Sequence, residues 1–263
     1  MMTEPETPMK KEGFYEEYWK VNPEWTPDLG VNNPDEQLLF ERYLKSGQLM
    51  LDYGCGNGRR YGHEMVRRGL DYRGFDVSET ALAQAKESGL QVGRIESNGS
   101  ISLPSGSVDV AICFEVLEHL MEPELALDEI WRAQKPGAIL LVSVPNAGYF
   151  THRIDFLLTG FRNPGGSPLT ARKAPWNDPH IRFFNRLVFN ALITKCGYDV
   201  VEQHSEAFSL NALPWLYRQA RLQAVLKKIS WPFSWLGKVF PSVFSPRLFV
   251  VARKPADSSA RQS

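Results

Sequence analysis

Apolar positions along this chain follow two alternating rhythms. Near-continuous apolar runs at Leu49 to Leu51, Val108 to Phe114 and Ala138 to Val144 lack helical spacing and predict strands buried on both faces. Tyr72 to Asp76, Gln91 to Ile95, Tyr198 to Val201 and Arg247 to Arg253 predict four more. Between them, apolar residues three and four apart predict helices. These cover 35–45 (Leu38, Leu39, Phe40, Tyr43, Leu44), 59–69 (Tyr61, Met65, Val66), 79–88, 122–134 and 185–195. Alternation of strand and helix from residue 48 to 144 implies a parallel sheet with helices on both faces.

The first predicted strand runs into Asp52-Tyr53-Gly54-Cys55-Gly56-Asn57-Gly58. Its glycines permit positive φ and keep Cβ atoms away from a ligand, and the next helix points its N-terminal amides over the turn. A dinucleotide fingerprint places its last glycine five positions after the first. That position is Arg59, so the spacing disfavours a nicotinamide cofactor. Taken alone, the stretch is equally well an ordinary tight turn. Asp76, about twenty residues on, ends the second strand where a doubly wound fold sets a carboxylate against ribose hydroxyls. Ser78 is available to cap the following helix, which leaves Asp76 for the ribose.

Asp52 to Gly58, Asp76, Leu103-Pro104, Val108-Asp109, the Glu115 to His119 run, Lys135-Pro136-Gly137 and Val144-Pro145-Asn146 follow one another in a telling order. The set resembles the class I S-adenosylmethionine (SAM) dependent methyltransferases, above all the small-molecule branch that includes ubiquinone-type O-methyltransferases. The resemblance covers residues 45 to 205. It implies an α/β, doubly wound, Rossmann-like seven-stranded sheet with its last strand antiparallel, and SAM as cofactor. It also implies cofactor contacts at Asp52, Gly54, Cys55, Gly56, Asn57, Gly58, Asp76, Val77, Asn98 and Phe114. Asn98 stands in a loop where relatives often carry aspartate; its side-chain carbonyl would accept from the adenine amine. Cys55 has no Cys/His constellation around it, which argues against a nucleophilic role.

Glu115, Glu118 and His119 follow the fourth strand at offsets of three and four, a spacing that shares one face if helical. This E-x-x-E-H run resembles one that ubiquinone-type and small-RNA methyltransferases use to hold Mg²⁺. The resemblance implies Glu115, Glu118, His119 and His180 as ligands, His180 being the histidine after the fifth strand. Without a metal, His119 or His180 is the expected general base, because imidazole titrates near neutrality, and Glu115 is the third catalytic candidate. His63, His152 and His204 have no supporting neighbours in sequence and read as surface or packing residues.

Charge narrows the field of partners. The 263 residues hold 30 Lys and Arg against 30 Asp and Glu, so no basic excess supports nucleic-acid binding. That counts against the runner-up, 2′-O-methylation at an RNA end, in favour of O-methylation of a small or lipid-linked acceptor such as a phenol or sugar hydroxyl. A non-catalytic SAM-binding partner protein is the alternative of another class. Cys55, Cys113 and Cys196 are scattered, which suits a reducing compartment. Met1 to Lys11 has no apolar signal core and no run reaches membrane-span length, so the expected location is cytoplasmic, with peripheral attachment at the inner membrane surface as the alternative.

The expected organisation is an N-terminal tail and aromatic docking segment (1–34), a catalytic domain (35–256) and a disordered tail (257–263). Phe14, Tyr15, Tyr18 and Trp19 are too dense for a free tail, and packing on the domain explains them more readily than a role over the cofactor. Residues 145–184, rich in Pro, Gly and basic side chains, predict a lid. Residues 208–245 form a basic, aromatic insertion, in which Trp215, Leu222, Val225, Leu226 and Ile229 share a helical face. Peripheral membrane contact through it is weighed against a helical cap packed on the domain.

Overall fold

The computed structural model describes residues 11–21, 33–160, 179–206, 228, 231–233 and 235–256. Seven strands form one sheet: β1 (Leu49–Tyr53), β2 (Asp71–Asp76), β3 (Val92–Arg94), β4 (Val108–Phe114), β5 (Gln134–Pro145), β6 (Asp199–Ser205) and β7 (Arg247–Arg253). Their spatial order is β3-β2-β1-β4-β5-β7-β6, and β7 runs antiparallel to both its neighbours while the other pairings are parallel. The doubly wound sheet with an antiparallel last strand is therefore as expected.

The longer described helices are α1 (Lys11–Val21), α2 (Pro34–Tyr43), α3 (Gly62–Arg67), α4 (Glu79–Glu87), α5 (Pro123–Ala133), α6 (Phe150–Thr159) and α7 (Arg186–Lys195), with two single turns at Leu236–Val239 and Pro241–Phe244. Alternation along β4 divides the core. Ala111 and Cys113 join Leu127, Ile130, Phe189 and Ile193 on one face, under α5 and α7. Val110, Ile112 and Phe114 join Phe40, Met65 and Leu82 on the other, under α2, α3 and α4. With both faces covered, the near-continuous apolar runs of the parallel strands are accounted for.

Several boundaries differ from the sequence reading. α3 starts at Gly62 rather than 59, because Arg59 to Tyr61 are spent in turns in which Gly62 N–H donates to the Gly58 carbonyl. β5 starts at Gln134, since Gln134 pairs with Val108 across a bulge ahead of Gly137. The aromatic N-terminal segment is a helix, and the first part of the expected lid is α6, closed by Gly160 at φ 65°. The rest of that lid, 161–178, lies outside the described residues, as do most of the insertion helix and the tail 257–263. No helix among the described residues is long and apolar enough to cross a membrane.

Candidate functional site

The carboxyl ends of β1, β2 and β4 converge on the glycine turn. The Gly54 and Cys55 amides both donate to the Phe75 carbonyl on β2, at 2.7 and 3.0 Å, which folds the turn back over the sheet. Gly54 sits at φ 85°, and a Cβ there would come within 2.4 Å of Val116. Gly56 sits at φ 54°, and its α-carbon lies under the Trp19 ring. Gly58 packs on Leu90 and Ala85, so it serves helix packing rather than an open cradle.

Asp76 is held by the turn it faces. The Gly56 amide donates to its Oδ2 at 2.7 Å and the Ser78 amide to its Oδ1 at 3.0 Å. The Val77 amide also bonds this carboxylate, and a lone pair left over could accept from a ribose hydroxyl. Ser78 caps α4 by accepting from the Ala81 amide, as its position suggested. Asp52 is buried and accepts from the Tyr72 hydroxyl at 2.7 Å. Burial pushes its carboxyl up to about 7; the Tyr72 bond opposes this and the Asp76 charge adds to it.

The other expected cofactor residues divide by environment. Cys55 is buried, and burial holds its thiol well above the usual range, so it stays protonated. Asn57 is buried, donating to Gln84 and accepting from the Arg59 amide. Val77 is half-buried against the core. Phe114 points into the opposite core face, edge-on to Tyr61 and Phe249, so only its backbone borders the turn. Asn98 is exposed, and its side-chain oxygen already accepts from both the amide and the hydroxyl of Ser100. What it has left is its NH₂, a donor that matches adenine N1 rather than the amine.

Beyond β4 the chain does not form the helix that the Glu115–Glu118–His119 spacing suggested. Glu115 sits at φ 57°, and Leu117–His119 is a single 3₁₀ turn. The Glu115 carboxylate accepts from the Ser143 hydroxyl at 2.8 Å. Glu118, 1% exposed, turns inward, and neither of its carboxylate oxygens has a hydrogen-bond partner. His119 Nε2 and His180 Nε2 lie 3.6 and 3.8 Å from Glu118 Oε1, with ring centroids 4.4 Å apart. Ligand-capable atoms of Glu118, His119 and His180 all fall within 4.8 Å of one another; Glu115 is not in that group. Burial, then the nearby Glu115 charge, holds the Glu118 carboxyl well above the carboxylate range.

His180 reaches this position because its segment is stitched down. The Ile181 and Arg182 amides both donate to the Glu118 carbonyl, at 2.9 and 3.0 Å, and Arg182 donates to the Met121 carbonyl. His119 Nδ1 lies 3.2 Å from the Pro179 carbonyl, so the neutral ring carries its proton there and its lone pair on Nε2, toward Glu118.

The sequence reading did not place the contacts that α1 makes at this site. Trp19 covers Gly56, Tyr15 meets His119 edge to face at 6.0 Å, and Glu16 accepts from the Thr80 hydroxyl and from the Glu79 and Thr80 amides at the start of α4. α1 thus packs across the glycine turn; docking on the domain was expected from its aromatic density, the place was not. Sequence reasoning also missed a network of Arg247, Glu36, Arg60 and Glu206, centred on the buried Arg247 and Glu36. His204, which looked unsupported, lies 3.0 Å from Asp35.

Comparison with known proteins bears on the family and the fold. Residues 51–142 match the family model described as a methyltransferase domain, which bears out the resemblance carried by the ordered motifs. A Mycolicibacterium smegmatis protein named a probable S-adenosylmethionine-dependent methyltransferase is 32% identical over 172 residues, covering 62% of this chain and 58% of that one. A ubiquinone biosynthesis O-methyltransferase of Hahella chejuensis is 32% identical over 143 residues, covering 52% and 60%. The chain thus spans about three fifths of the length of these curated relatives. Among solved structures, the [4+2]-cyclase SpnF aligns with a TM-score of 0.60 at 18% identity, over 94% of this chain and 98% of that one, a likeness of fold.

Proposed function

We propose that this chain, whose residues 51–142 match the methyltransferase-domain family, transfers a methyl group from SAM to an oxygen of a small or lipid-linked acceptor. One observation carries the reading: the glycine turn with Asp76 and the Glu118–His119–His180 cluster share the carboxyl edge of one sheet. The likeness to a cyclase is a reminder that the fold alone does not carry the activity, so the proposal rests on those side chains.

SAM supplies an activated methyl on a positive sulfonium, and the protein's task is alignment and removal of the acceptor proton. Asp76 offers lone pairs to the ribose, from a turn whose own Gly54, Cys55, Gly56 and Gly58 amides are spent on the Phe75 carbonyl, on Asp76 and on the Cys55 carbonyl. Tyr15 and Trp19 on α1 cover the turn and limit water at the reacting atoms. A hydroxyl acceptor must lose its proton, and His119 Nε2, its tautomer fixed by Pro179, is placed to take it.

The same cluster fits a divalent metal. Glu118 is a buried carboxylate without hydrogen bonds, and two imidazole nitrogens lie within 4 Å of it. Glu118, His119 and His180 would hold the ion, which would lower the pKa of a hydroxyl bound to it. Two nitrogens and one carboxylate suit Mn²⁺ or Zn²⁺ better than Mg²⁺, which prefers oxygen ligands. Glu115, occupied by Ser143, would act on the cluster through its charge.

Calorimetry with S-adenosylhomocysteine tests the cofactor site, and radiolabelled SAM incubated with lipid, aqueous and RNA fractions tests the acceptor. Label in a lipid or small-molecule fraction is expected. Label only in RNA would overturn the acceptor class, and NADH binding in place of the nucleoside would overturn the cofactor.

A further inference from the structure

Beside the site, at the carboxyl edge, lies an apolar surface the chemistry does not use. After β5, α6 turns Ile154, Phe156 and Leu157 to solvent, Leu157 at 82% exposure. The chain ahead of β7 likewise exposes Phe233, Trp235 and Phe240, each by about half. The two stretches touch: the Phe150 and Phe244 rings are 5.7 Å apart, and the Asn146 amide donates to the Pro241 and Ser245 carbonyls. Single exposed apolar side chains are ordinary on a protein surface; six on two adjoining elements mark an interaction site.

Charge selects the occupant. From Ala207 to Ala256 the sequence has no acidic residue, and Lys228 and Lys238 flank the exposed aromatics; α6 adds Arg153 beside one acid, Asp155. An isologous contact with a second copy would bring the same cations face to face. Nucleic acid would leave Ile154 and Leu157 without an apolar partner. We propose that this face seats on an anionic phospholipid surface, with its aromatic and aliphatic side chains in the interfacial layer and its lysines at the headgroups. Asn146, which anchors the patch, stands three residues after Ser143, the partner of Glu115, so a seated protein would present its site at the lipid. This deepens the acceptor class proposed above, but the binding itself needs neither cofactor nor acceptor.

Sedimentation of the full chain with sucrose-loaded vesicles tests it. Phosphatidylcholine vesicles containing phosphatidylglycerol should carry the protein down at low salt, pure phosphatidylcholine should not, and high salt should weaken the binding about tenfold or more. Trp235→Ser with Phe240→Ser should lose at least about tenfold in vesicle affinity at an unchanged melting temperature. Lys238→Glu, a milder change, should weaken the preference for phosphatidylglycerol. Equal binding to both vesicle types, wild-type binding by both variants, or a dimer that the double variant splits in light scattering would each overturn the proposal. A chain that binds vesicles but not S-adenosylhomocysteine would keep this inference and lose the functional reading.

Discussion

The Trp19 indole rests on the α-carbon of Gly56, so close that a methyl added to that glycine would come within 2.7 Å of Cζ2. A residue of α1 thereby covers the turn that the proposed function gives to the nucleoside. Gly56→Ala meets two obstacles, a left-handed φ of 54° and the indole itself. We expect it to cost about 1–3 kcal/mol in stability and at least about tenfold in S-adenosylhomocysteine affinity. In a Trp19→Ala background only the backbone strain remains, so the penalty should shrink. A double-mutant cycle in which the two changes are additive would separate α1 from the turn.

Stability should fall as pH rises from about 4 to about 7, and Asp52 is one cause. Its folded carboxyl titrates at about 7 against an ordinary 3.8, so across that interval the folded chain keeps a proton the unfolded chain has released. The contribution is complete below the lower value and gone above the upper one, a difference of at most about 4 kcal/mol. Asp52→Asn should flatten the slope in denaturant titrations and gain stability at pH 8 relative to the parent. Asp76, Glu36 and Glu118, also shifted upward by burial, should leave a residual slope. An unchanged pH profile in the variant would mean Asp52 is solvated in solution.

Glu118 is kept where stability alone would not keep it, buried with two unbonded oxygens. Glu118→Gln should leave the melting temperature equal or raised while lowering methyl transfer by about 100-fold or more. Chelation then divides the two modes of activation. If a chelator brings the parent down to the variant's rate and Mn²⁺ restores it, the cluster holds a metal. If the parent ignores the chelator, the acidic limb of its pH–rate profile should vanish in His119→Ala. Full activity in Glu118→Gln would remove the cluster from the mechanism.

Arg247 stands buried between Glu36, at 2.8 Å, and Glu206, at 3.0 Å. Arg247→Met leaves two carboxylates facing each other's side of the core with only Arg60 to share, at 3.0 Å from Glu36. A loss of about 3–5 kcal/mol at neutral pH is expected, shrinking at acid pH as Glu36, whose carboxyl burial already shifts upward, takes up a proton. Chemical denaturation at the two pH values checks it, and a deficit independent of pH would point to lost packing instead.

The sheet was legible because each strand declares itself locally: Val108 to Phe114 is apolar at nearly every position, and only a strand covered on both faces asks for that. Gly54, Gly56 and Asp76 were legible for the same reason, since the turn and the strand end fix their geometry within a few residues. The Glu115–Glu118–His119 run misled on shape: offsets of three and four fit a helix, yet the positive φ of Glu115 and a 3₁₀ turn bring Glu118 inward instead. Its neighbour His180 is sixty residues away and is placed by two amides on the Glu118 carbonyl, a contact no local pattern encodes. Trp19 over Gly56 is of that kind too. Aromatic density said that the segment docks; where it docks depended on a surface made by distant strands.

The antiparallel β7 has an architectural consequence. Because it lies between β5 and β6, the stretch joining Ser205 to Arg247 leaves and rejoins the sheet at one corner, and the Glu206–Arg247 pair staples its two ends. The intervening chain can lengthen, shorten or be exchanged at slight entropic expense without disturbing a single ladder. It works as a socket, through which the same sheet can be refitted for new surroundings while the glycine turn and the Glu118 corner stay untouched.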